Sequence, residues 1–394
     1  SRLANGKIAQ RPFGGAGYPR CCYAADRTGH MVLHTFYEKI VELGVRVYEE
    51  WLALSLVVDN GRVHGVVAME MATGRLECFG AKAVVLATGG YGRVFSRSSN
   101  ALINTGSGIA IAYEAGVPIE DMEFVQYHPT TLYGTNILIS EGARGEGGYL
   151  VNNRGERFME RYAKSAMELA PRDIVSRSIQ TEINQGRGFN DEYVHLDLRH
   201  LGREKILERL PGIREIAIDF GGIDPIDTPI PVQPAQHYSM GGVATGVRGA
   251  TAVKGLYGAG ESACVSVHGA NRLGGNSLLD TAVFGKLVAE AVPGYLESGA
   301  GPPDSRRLMD ERKKQQERIN GILSRSNAAE SVGTILPAMR ETMFTKCGVF
   351  REKKLLEEAL AALRELKERC RKIGISSGAS LRYNPGLMNA LELP

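Results

Sequence analysis

The chain lacks several features that would place its 394 residues in a common class of protein. No apolar run approaches the roughly 18 residues that a membrane-spanning helix requires. The 47 basic and 44 acidic residues leave a net charge of only +3, a balance that argues against a nucleic-acid-binding protein. No charged and then apolar leader opens the sequence, so no secretory signal is recognisable.

The six cysteines predict neither a disulfide framework nor a zinc site. They lie at positions 21, 22, 78, 264, 347 and 370, and no two of them form a C-x-x-C motif. His30 and His34 have the i,i+4 spacing of a zinc-binding helix, but the glutamate of H-E-x-x-H is missing. We therefore expect a reducing compartment, no bound metal, and buried structural thiols at Cys21 and Cys22.

Glycine, by contrast, is abundant. The chain has 48 glycines in 394 residues, about 12% against a typical value of about 7%. The 16 prolines follow no Gly-x-y period, which excludes a collagen-like sequence. Such a composition is typical of an enzyme whose backbone must approach a ligand closely.

The order of patterns along the chain predicts an α/β core that is interrupted by an insertion. A helix is expected around Gly29–Val41, followed by a strand meander over 54–59, 62–71 and 75–80, with a hairpin turn at Asn60-Gly61. A buried strand at 83–87 and a second at 255–260 flank a more polar region. A helix over 277–291 follows. Beyond Pro302-Pro303 the sequence is helical and charged, with a leucine stripe at 355, 356, 360, 363 and 366.

Three glycine-rich turns suit a large phosphate-bearing cofactor. They are A-T-G-G at 87–90, G-L-Y-G-A-G-E at 255–261 and H-G-A-N-R-L-G-G-N-S at 268–277. The last of them opens a helix, whose N-terminus favours an anion. The dinucleotide fingerprint G-x-G-x-x-G is missing, and its nearest relative at 258–263, G-x-G-x-x-A, is by itself equally consistent with a tight strand-to-helix turn.

Arginines and histidines in the same motifs indicate an acidic substrate. Arg144 and Arg272 stand among small residues that would let a guanidinium reach a bound carboxylate. Arg172 follows a proline in E-L-A-P-R-D. Three histidines also lie in distinctive motifs: His128 in Q-Y-H-P-T, His237 in A-Q-H-Y-S-M-G-G and His268 in H-G-A-N-R. A dicarboxylate would require two such arginine anchors. A histidine taken alone is more often a structural residue than a ligand or an acid–base group.

At these residues the chain resembles the flavoprotein subunits of succinate dehydrogenase and of quinol:fumarate reductase. The resemblance rests on strings that occur in family order through the whole chain: R-C-C-Y-A-A-D-R-T-G-H at 20–30, D-M-E-F-V-Q-Y-H-P-T at 121–130, S-E-G-A-R-G-E-G-G at 140–148, E-L-A-P-R-D at 168–173, H-Y-S-M-G-G at 237–242, H-G-A-N-R-L-G-G-N-S-L-L-D at 268–280 and R-Y-N-P-G-L-M-N-A-L-E-L at 382–393.

The resemblance implies a glutathione-reductase-like FAD-binding core, an inserted capping domain and a helical C-terminal domain. The implied boundaries are 1–127 and 236–300 for the two parts of the FAD-binding domain, 128–235 for the capping domain and 301–394 for the helical domain. The family's N-terminal segment, with the G-x-G-x-x-G turn and the histidine that binds FAD covalently, has no counterpart here, and the C-terminal segment stops early, at Pro394. The chain is therefore expected to be a fragment.

The resemblance also assigns roles to individual residues. Arg172 matches the family's proton-transfer group, with Glu141 and Arg144 as relay residues. Since a guanidinium has a pKa above about 12, Glu141 as the base with Arg172 as its electrostatic partner stays an alternative. The implied substrate-binding residues are His128, Ser140, His237 and Arg272, and the implied FAD-binding residues are Ser107, Tyr238, Glu261, Asn276, Ser277 and Leu278. Ser107 replaces the usual aspartate of T-G-D-G.

The implied activity is the oxidation of succinate to fumarate with hydride transfer to FAD. The implied partners are an iron–sulfur subunit and, through it, membrane anchor subunits, which would hold the chain on the cytoplasmic, inner face of the cell membrane. Fumarate reduction by the same site is the first alternative. L-Aspartate oxidase, which shares E-L-A-P-R-D and H-G-A-N-R, is the second, although it would need a group for the substrate ammonium. A chain without the nucleotide-binding segment could also be a non-catalytic scaffold.

Overall fold

A computed structural model describes residues 1–325, 328–375 and 380–393. The stop at Pro394 lies outside these described residues. The strands are β1 (Gln10–Arg11), β2 (Cys21–Cys22), β3 (Trp51–Asp59), β4 (Arg62–Glu70), β5 (Leu76–Gly80), β6 (Val84–Leu86), β7 (Ile119–Glu120), β8 (Val125–Leu132), β9 (Tyr149–Val151), β10 (Val194–Asp197), β11 (Ile230–Ser239), β12 (Gly242–Ala244), β13 (Leu256–Gly258) and β14 (Ala263–Cys264). The helices are α1 (Thr28–Glu42), α2 (Ser107–Glu114), α3 (Gly142–Gly145), α4 (Met159–Tyr162), α5 (Arg172–Asn184), α6 (Arg203–Arg209), α7 (Pro211–Gly221), α8 (Asn276–Glu297), α9 (Ser305–Ser324), α10 (Val332–Lys346), α11 (Lys353–Cys370) and α12 (Pro385–Glu392).

The expected meander is present as the antiparallel sheet β3-β4-β5. Its hairpin turns at Asn60 and Gly61, which both have positive φ, 48° and 69°. Two successive positive φ values define the type I′ turn that matches the twist of paired strands. The asparagine–glycine pair therefore determines the register of the hairpin.

The interruption of the core is visible in the pairing of β6 with β13. The two strands are parallel, with Val84 opposite Leu256 and Leu86 opposite Gly258, although about half of the described chain separates them. The Ala259 N–H donates to the Leu86 carbonyl at 3.0 Å, so the turns after both strands lie side by side. β13 continues into a 3-10 turn at 260–262 and then into β14, so the G-x-G-x-x-A string at 258–263 is not a strand-to-helix turn.

The inserted region has a sheet and a hydrophobic core of its own. The sheet is antiparallel, in the order β8-β11-β10-β9, and α5 packs against β8. All buried members of its core fall between Leu132 and Val232. The predicted boundaries at 127/128 and 235/236 fall inside β8 and β11, and the division into domains stays a prediction.

The C-terminal helices pack on the meander. Ile319, Ile335 and Leu387 share one core with Leu54 and Leu76 of the sheet. The leucine stripe of α11 is only partly covered, because Leu363 and Leu366 join this core while Leu356 and Leu360 are 41% and 50% exposed. None of the described helices is long and apolar enough to cross a membrane.

Candidate active site

A cavity of about 1500 Å³ lies between the inserted region and the start of α8. Nine of the thirteen residues predicted from the sequence line it: His128, Ser140, Glu141, Arg172, His237, Arg272, Asn276, Ser277 and Leu278. The other four, Ser107, Arg144, Tyr238 and Glu261, are not on its wall. The positions that the motifs singled out thus converge on one space, although they are spread over 150 residues of sequence.

The register of β8 and β11 brings two of the histidines together. Gln236 pairs with Tyr127 and Tyr238 pairs with Gln126, so His237 is an extra residue on β11 with no partner on β8. A bulge of this kind re-aims a side chain and is frequent beside active sites. The rings of His128 and His237 lie edge to face with centroids 5.0 Å apart, and both line the cavity.

Both histidines are neutral near pH 7. Burial, with Arg172 as the next cause, lowers the pKa of each imidazole well below its usual value. The His128 Nδ1 lies 3.2 Å from both the N–H nitrogen and the carbonyl oxygen of Thr130, so this backbone accommodates the ring proton on either nitrogen. The His128 Nε2 is buried and finds no partner among the described residues. A buried polar atom without a partner on a cavity wall indicates a ligand that hydrogen bonds to it.

Two arginines are held on the same wall by one amide. The Gln126 Oε1 accepts from Arg172 Nη1 at 3.1 Å and from Arg272 Nη2 at 3.0 Å. The Gln126 Nε2 donates to the Arg272 carbonyl at 2.6 Å and to Asn271 Oδ1 at 2.8 Å. The amide, which is 3% exposed, therefore uses its full donor and acceptor capacity to hold two cations side by side.

Arg172 continues into a chain of charged groups that leads away from the cavity. Its Nε donates to Glu141 Oε2 at 2.9 Å, and Arg144 Nη2 lies 3.8 Å from the same oxygen. The Gly14 N–H donates to the other carboxylate oxygen. Burial raises the pKa of Glu141, but Arg144, Arg172 and the Gly14 N–H outweigh it, so the net pKa lies below its usual value. Glu141 is therefore ionised at neutral pH.

Arg144 differs from what its sequence neighbours suggested. The small residues around it were expected to open a path to a bound carboxylate. Instead the side chain is 2% exposed, lies off the cavity wall and donates from Nη1 to the Glu168 carbonyl. The space left by the glycines is filled by neighbouring protein, so Arg144 lies behind Glu141.

Arg272 lies against an aromatic ring. Its guanidinium carbon is 4.3 Å from the centroid of the Tyr238 ring, a cation–π contact. Burial, followed by the like charge of Arg172, lowers the pKa of Arg272 to about 9. The guanidinium thus stays charged at neutral pH. A bound anion would offset both the burial of this charge and its repulsion by Arg172.

The start of α8 forms the opposite wall. Gly275, with φ 83°, precedes the helix, and no side chain caps its first N–H groups. Asn276, Ser277 and Leu278 line the cavity from there. Uncapped N–H groups at the start of a 22-residue helix attract an electronegative ligand atom.

Two other predicted cofactor residues lie near this wall and one does not. Glu261 accepts the Ser239 N–H at 2.8 Å, and burial raises the pKa of its carboxyl to about 7. The Tyr238 hydroxyl donates to Asp280 Oδ2 of α8 at 3.2 Å. Ser107 instead begins α2, near Glu392 of α12, and is not on the cavity wall.

These features fit FAD. The cavity exceeds the 300–1,000 Å³ of an ordinary small-ligand pocket, which leaves room for a large cofactor beside a small acid. A Cβ at Gly90 would lie 2.4 Å from Glu261 Oε1, so the glycine turn after β6 approaches that carboxyl in a way that only glycine allows. Asn276, Ser277 and Leu278 would hold the flavin and Glu261 its polar chain.

Sequence reasoning gave no role to Gln126, although a signal was present. Gln126 precedes His128 by two positions on a strand, so both side chains point to the same face. Gly14 was given no role either, and its N–H contact with Glu141 depends on residues 127 positions apart. No local pattern predicts such a contact.

The expectation of buried thiols at residues 21 and 22 is wrong. Cys22 is exposed and Cys21 is only half-buried, and both line the cavity. The two-residue strand β2 pairs only with β1, so no second layer covers it within the described residues.

Comparison with known proteins shows the family to which the chain belongs. The model of the family described as "FAD binding domain" matches residues 1–278, and that described as "Fumarate reductase flavoprotein C-term" matches residues 337–394. The succinate dehydrogenase flavoprotein subunit of Rickettsia bellii is 44% identical over all of this chain and 69% of its own length. The chain belongs to the family of succinate dehydrogenase and fumarate reductase flavoprotein subunits.

Other members of the family are equally similar. The fumarate reductase flavoprotein subunit of Mycobacterium tuberculosis is also 44% identical, over 100% of this chain and 70% of its own. A variant of the E. coli quinol fumarate reductase superposes with a TM-score of 0.93 at 39% identity, covering 100% of this chain and 69% of that one. A quinol-fumarate reductase with menaquinol molecules gives 0.94 and 39%, covering 100% and 70%.

Membership confirms several expectations from the sequence. The fold is an α/β FAD-binding fold with a helical C-terminal part, and the cofactor is FAD. The chain is a flavoprotein subunit of an oxidoreductase family that acts on the CH–CH bond of succinate or fumarate.

Proposed function

We propose that this flavoprotein subunit oxidises succinate to fumarate and that the two arginines and two histidines of the cavity hold the substrate. FAD, when bound, takes the hydride from one of the two central carbons. The observation that carries the proposal is the pair of guanidiniums, Arg172 and Arg272, held about 3 Å from one Gln126 oxygen. Like charges kept this close on a cavity wall favour a ligand with a double negative charge.

The residues divide into two groups around such a ligand. Arg272 and His237 stand near the bulge of β11, and we assign them to one carboxylate. His128 and Ser140 lie further into the inserted region and would bind the other carboxylate. The His128 Nε2, which is buried and without a partner among the described residues, would carry the ring proton and donate a hydrogen bond to this carboxylate. Fixed donors at both ends hold the central carbons in place and stabilise charge that develops beside a carboxylate.

Arg172 is already protonated, so it would give its Nε proton to Glu141 as it takes the proton that leaves the second carbon. Arg172 and Glu141 line the cavity and Arg144 does not, so the three groups form a path from the cavity into the protein. The lowered pKa of Glu141 keeps its carboxylate deprotonated, the form that can accept this proton. Glu141 as the base itself, with Arg172 as its electrostatic partner, is the alternative within the same geometry.

Fumarate reduction by the same site is the second candidate. The observation that favours it is the equal identity, 44%, to a succinate dehydrogenase subunit and to a fumarate reductase subunit. The site residues would serve both directions, because a donor of the proton in one direction is its acceptor in the other.

We further propose that the chain passes its electrons to an iron–sulfur subunit and is held through it, by membrane anchor subunits, on the inner face of the cell membrane. The proposal is supported by the solved relatives, which are named quinol fumarate reductases.

The test is succinate-dependent reduction of a dye by the purified flavoprotein, with malonate as inhibitor and L-aspartate as the competing substrate. We expect malonate-sensitive turnover with succinate and none with aspartate. The reverse assay, fumarate-dependent oxidation of a reduced dye, decides the direction. Faster fumarate reduction would favour the second candidate, and oxidation of aspartate would contradict both.

A further inference from the structure

The imidazole of His237 has a hydrogen-bond partner on the same cavity wall that the catalytic motifs do not contain. The Ser99 hydroxyl oxygen lies 2.7 Å from His237 Nδ1. Ser99 stands in the segment after the 3-10 turn at 92–94, far in sequence from β11. His237 thus presents Nδ1 to Ser99 and leaves Nε2 for the cavity.

The backbone around His237 is fixed by the same segment. The Ser99 N–H donates to the Gln236 carbonyl at 2.9 Å, and Asn100 Nδ2 donates to the His237 carbonyl at 2.7 Å. The Gln236 N–H donates to the Arg97 carbonyl at 3.0 Å. These bonds fix the backbone on both sides of the bulge, so the His237 side chain can move only by rotating about its own bonds. The hydrogen bond from the Ser99 hydroxyl restricts that rotation.

We propose that Ser99 is a positioning residue that holds His237 in the tautomer with its proton on Nε2, so that the ring donates to a substrate carboxylate. This inference rests on the proposed function and extends it to a residue outside the substrate-binding set. A neutral imidazole has one N–H, and the partner of one nitrogen decides which nitrogen carries it. A hydroxyl that donates to Nδ1 leaves the proton on Nε2.

The Ser99 hydroxyl has a second acceptor within reach, and the choice between the two acceptors goes with the tautomer of His237. Its oxygen also lies 3.3 Å from the Gln236 carbonyl, to which it would donate if Nδ1 carried the ring proton. In that arrangement Nε2 has a lone pair and repels a carboxylate. A bound anion favours the tautomer with the proton on Nε2. In that tautomer the Ser99 hydroxyl donates to Nδ1, so this ring nitrogen keeps a hydrogen-bond partner.

Two neighbouring substitutions separate this role from a loss of local structure. Ser99→Ala removes the hydroxyl from Nδ1. Ser98→Ala is the matched control. The Ser98 hydroxyl donates to Gln236 Oε1 at 2.7 Å and accepts the Asn100 N–H at 3.2 Å, and among the described residues it forms no hydrogen bond to a histidine ring. Ser99→Thr restores a hydroxyl at the same position.

The experiment measures malonate affinity by calorimetry, and KM and kcat for succinate, in the native flavoprotein and the three variants. For Ser99→Ala we expect both the malonate Kd and the KM to rise about tenfold, the loss of roughly one hydrogen bond, with kcat changed less than about threefold. Ser98→Ala and Ser99→Thr should stay within about threefold of the native values. Equal losses in the Ser98 and Ser99 alanine variants, or no rescue by threonine, would overturn the proposal.

The affinity measurement keeps the two claims distinct. A native protein that binds malonate but does not oxidise succinate would overturn the proposed function, while the malonate affinities of the variants would still decide the role of Ser99. A native protein that binds no dicarboxylate would overturn both.

Discussion

The two walls of the cavity are built by different means. On the wall formed by β8, β11 and α5, buried side chains hold one another: a single amide binds two guanidiniums, and one of these binds a carboxylate. On the wall formed by the start of α8, the available groups are backbone N–H groups and small side chains at 275–277.

The difference has a consequence for substitution. A hydrogen-bonded network of buried charges loses several partners when one side chain changes, whereas a backbone N–H is present whatever the side chain. We therefore expect changes on the arginine wall to have large effects and changes near the α8 wall to have small ones.

The largest effect is expected for Arg172→Lys. A lysine has one nitrogen and cannot contact both Gln126 Oε1 and Glu141 Oε2 as the guanidinium does. We expect kcat for succinate to fall about 10²- to 10⁴-fold, the usual contribution of a proton-transfer group. Arg177→Lys is the control, on the same helix and 47% exposed. A lysine variant at position 172 with near-native kcat would contradict the assigned role.

The second effect concerns the amide between the two arginines. Gln126→Met keeps the length of the side chain but leaves both guanidiniums without their shared acceptor. We expect the KM for succinate to rise about 5- to 150-fold, since an unsatisfied buried charge costs about 1–3 kcal/mol. Gln233→Met, on the same sheet and 2% exposed, is the control, and an equal rise in both variants would refute a specific role for Gln126.

The third prediction is a pH dependence of malonate binding. Arg272, whose pKa burial lowers to about 9, is surrounded by Arg172, Tyr238, Glu261 and Glu141. It loses its charge as the pH rises through about 9, so malonate affinity should be constant from pH 6 to 8 and fall about tenfold per pH unit above 9. Because both histidines are already neutral, no step is expected near pH 6.5. Constant affinity up to pH 10.5 would contradict the lowered pKa of Arg272, since it would show that the guanidinium keeps its charge over this range.

The smallest effect is expected near the α8 wall, for Glu261→Gln. With a pKa of about 7, the carboxyl is charged above pH 7 and neutral below it, and a negative charge disfavours a reduced flavin. The flavin potential of the variant should therefore exceed the native one by about 10–30 mV at pH 8, where 30 mV corresponds to about 1.4 kcal/mol for two electrons. At pH 6 the two should agree. Glu290→Gln, on the exposed side of α8, is the control. Equal flavin potentials in the Glu261→Gln variant and the native protein at both pH values would show that Glu261 does not influence the flavin.

The two walls also differ in how well the sequence predicts them. Motif residues such as His128, Arg172 and Arg272 could be selected by type and by resemblance, and all three line the cavity. What the sequence does not contain is the bulge that makes His237 an extra residue, because register depends on both strands at once. Burial is equally non-local: the glycines around Arg144 suggested an open space that neighbouring protein fills.

The same contrast holds for the fold. Features set by neighbouring residues were predicted well, and features set by residues distant in sequence were predicted poorly. The Asn60-Gly61 hairpin follows from two residues and is present with the expected turn. The exposed half of the α11 leucine stripe and the exposed Cys22 could not be predicted, because a stripe or a thiol is covered only where another layer lies above it. The pairing of β13 with β6 likewise joins strands that are distant in sequence, and no local pattern predicts it.

The central claim is that the arginine wall binds a dicarboxylate, and a paired titration tests it most directly. The native flavoprotein is titrated at pH 7.5 with malonate and, separately, with the monocarboxylate propionate. We expect one malonate per chain with an affinity about 10- to 100-fold above that of propionate, since the second carboxylate adds charge-assisted hydrogen bonds worth about 1.5–3 kcal/mol. Equal affinity for the two acids, or binding of neither, would contradict the account.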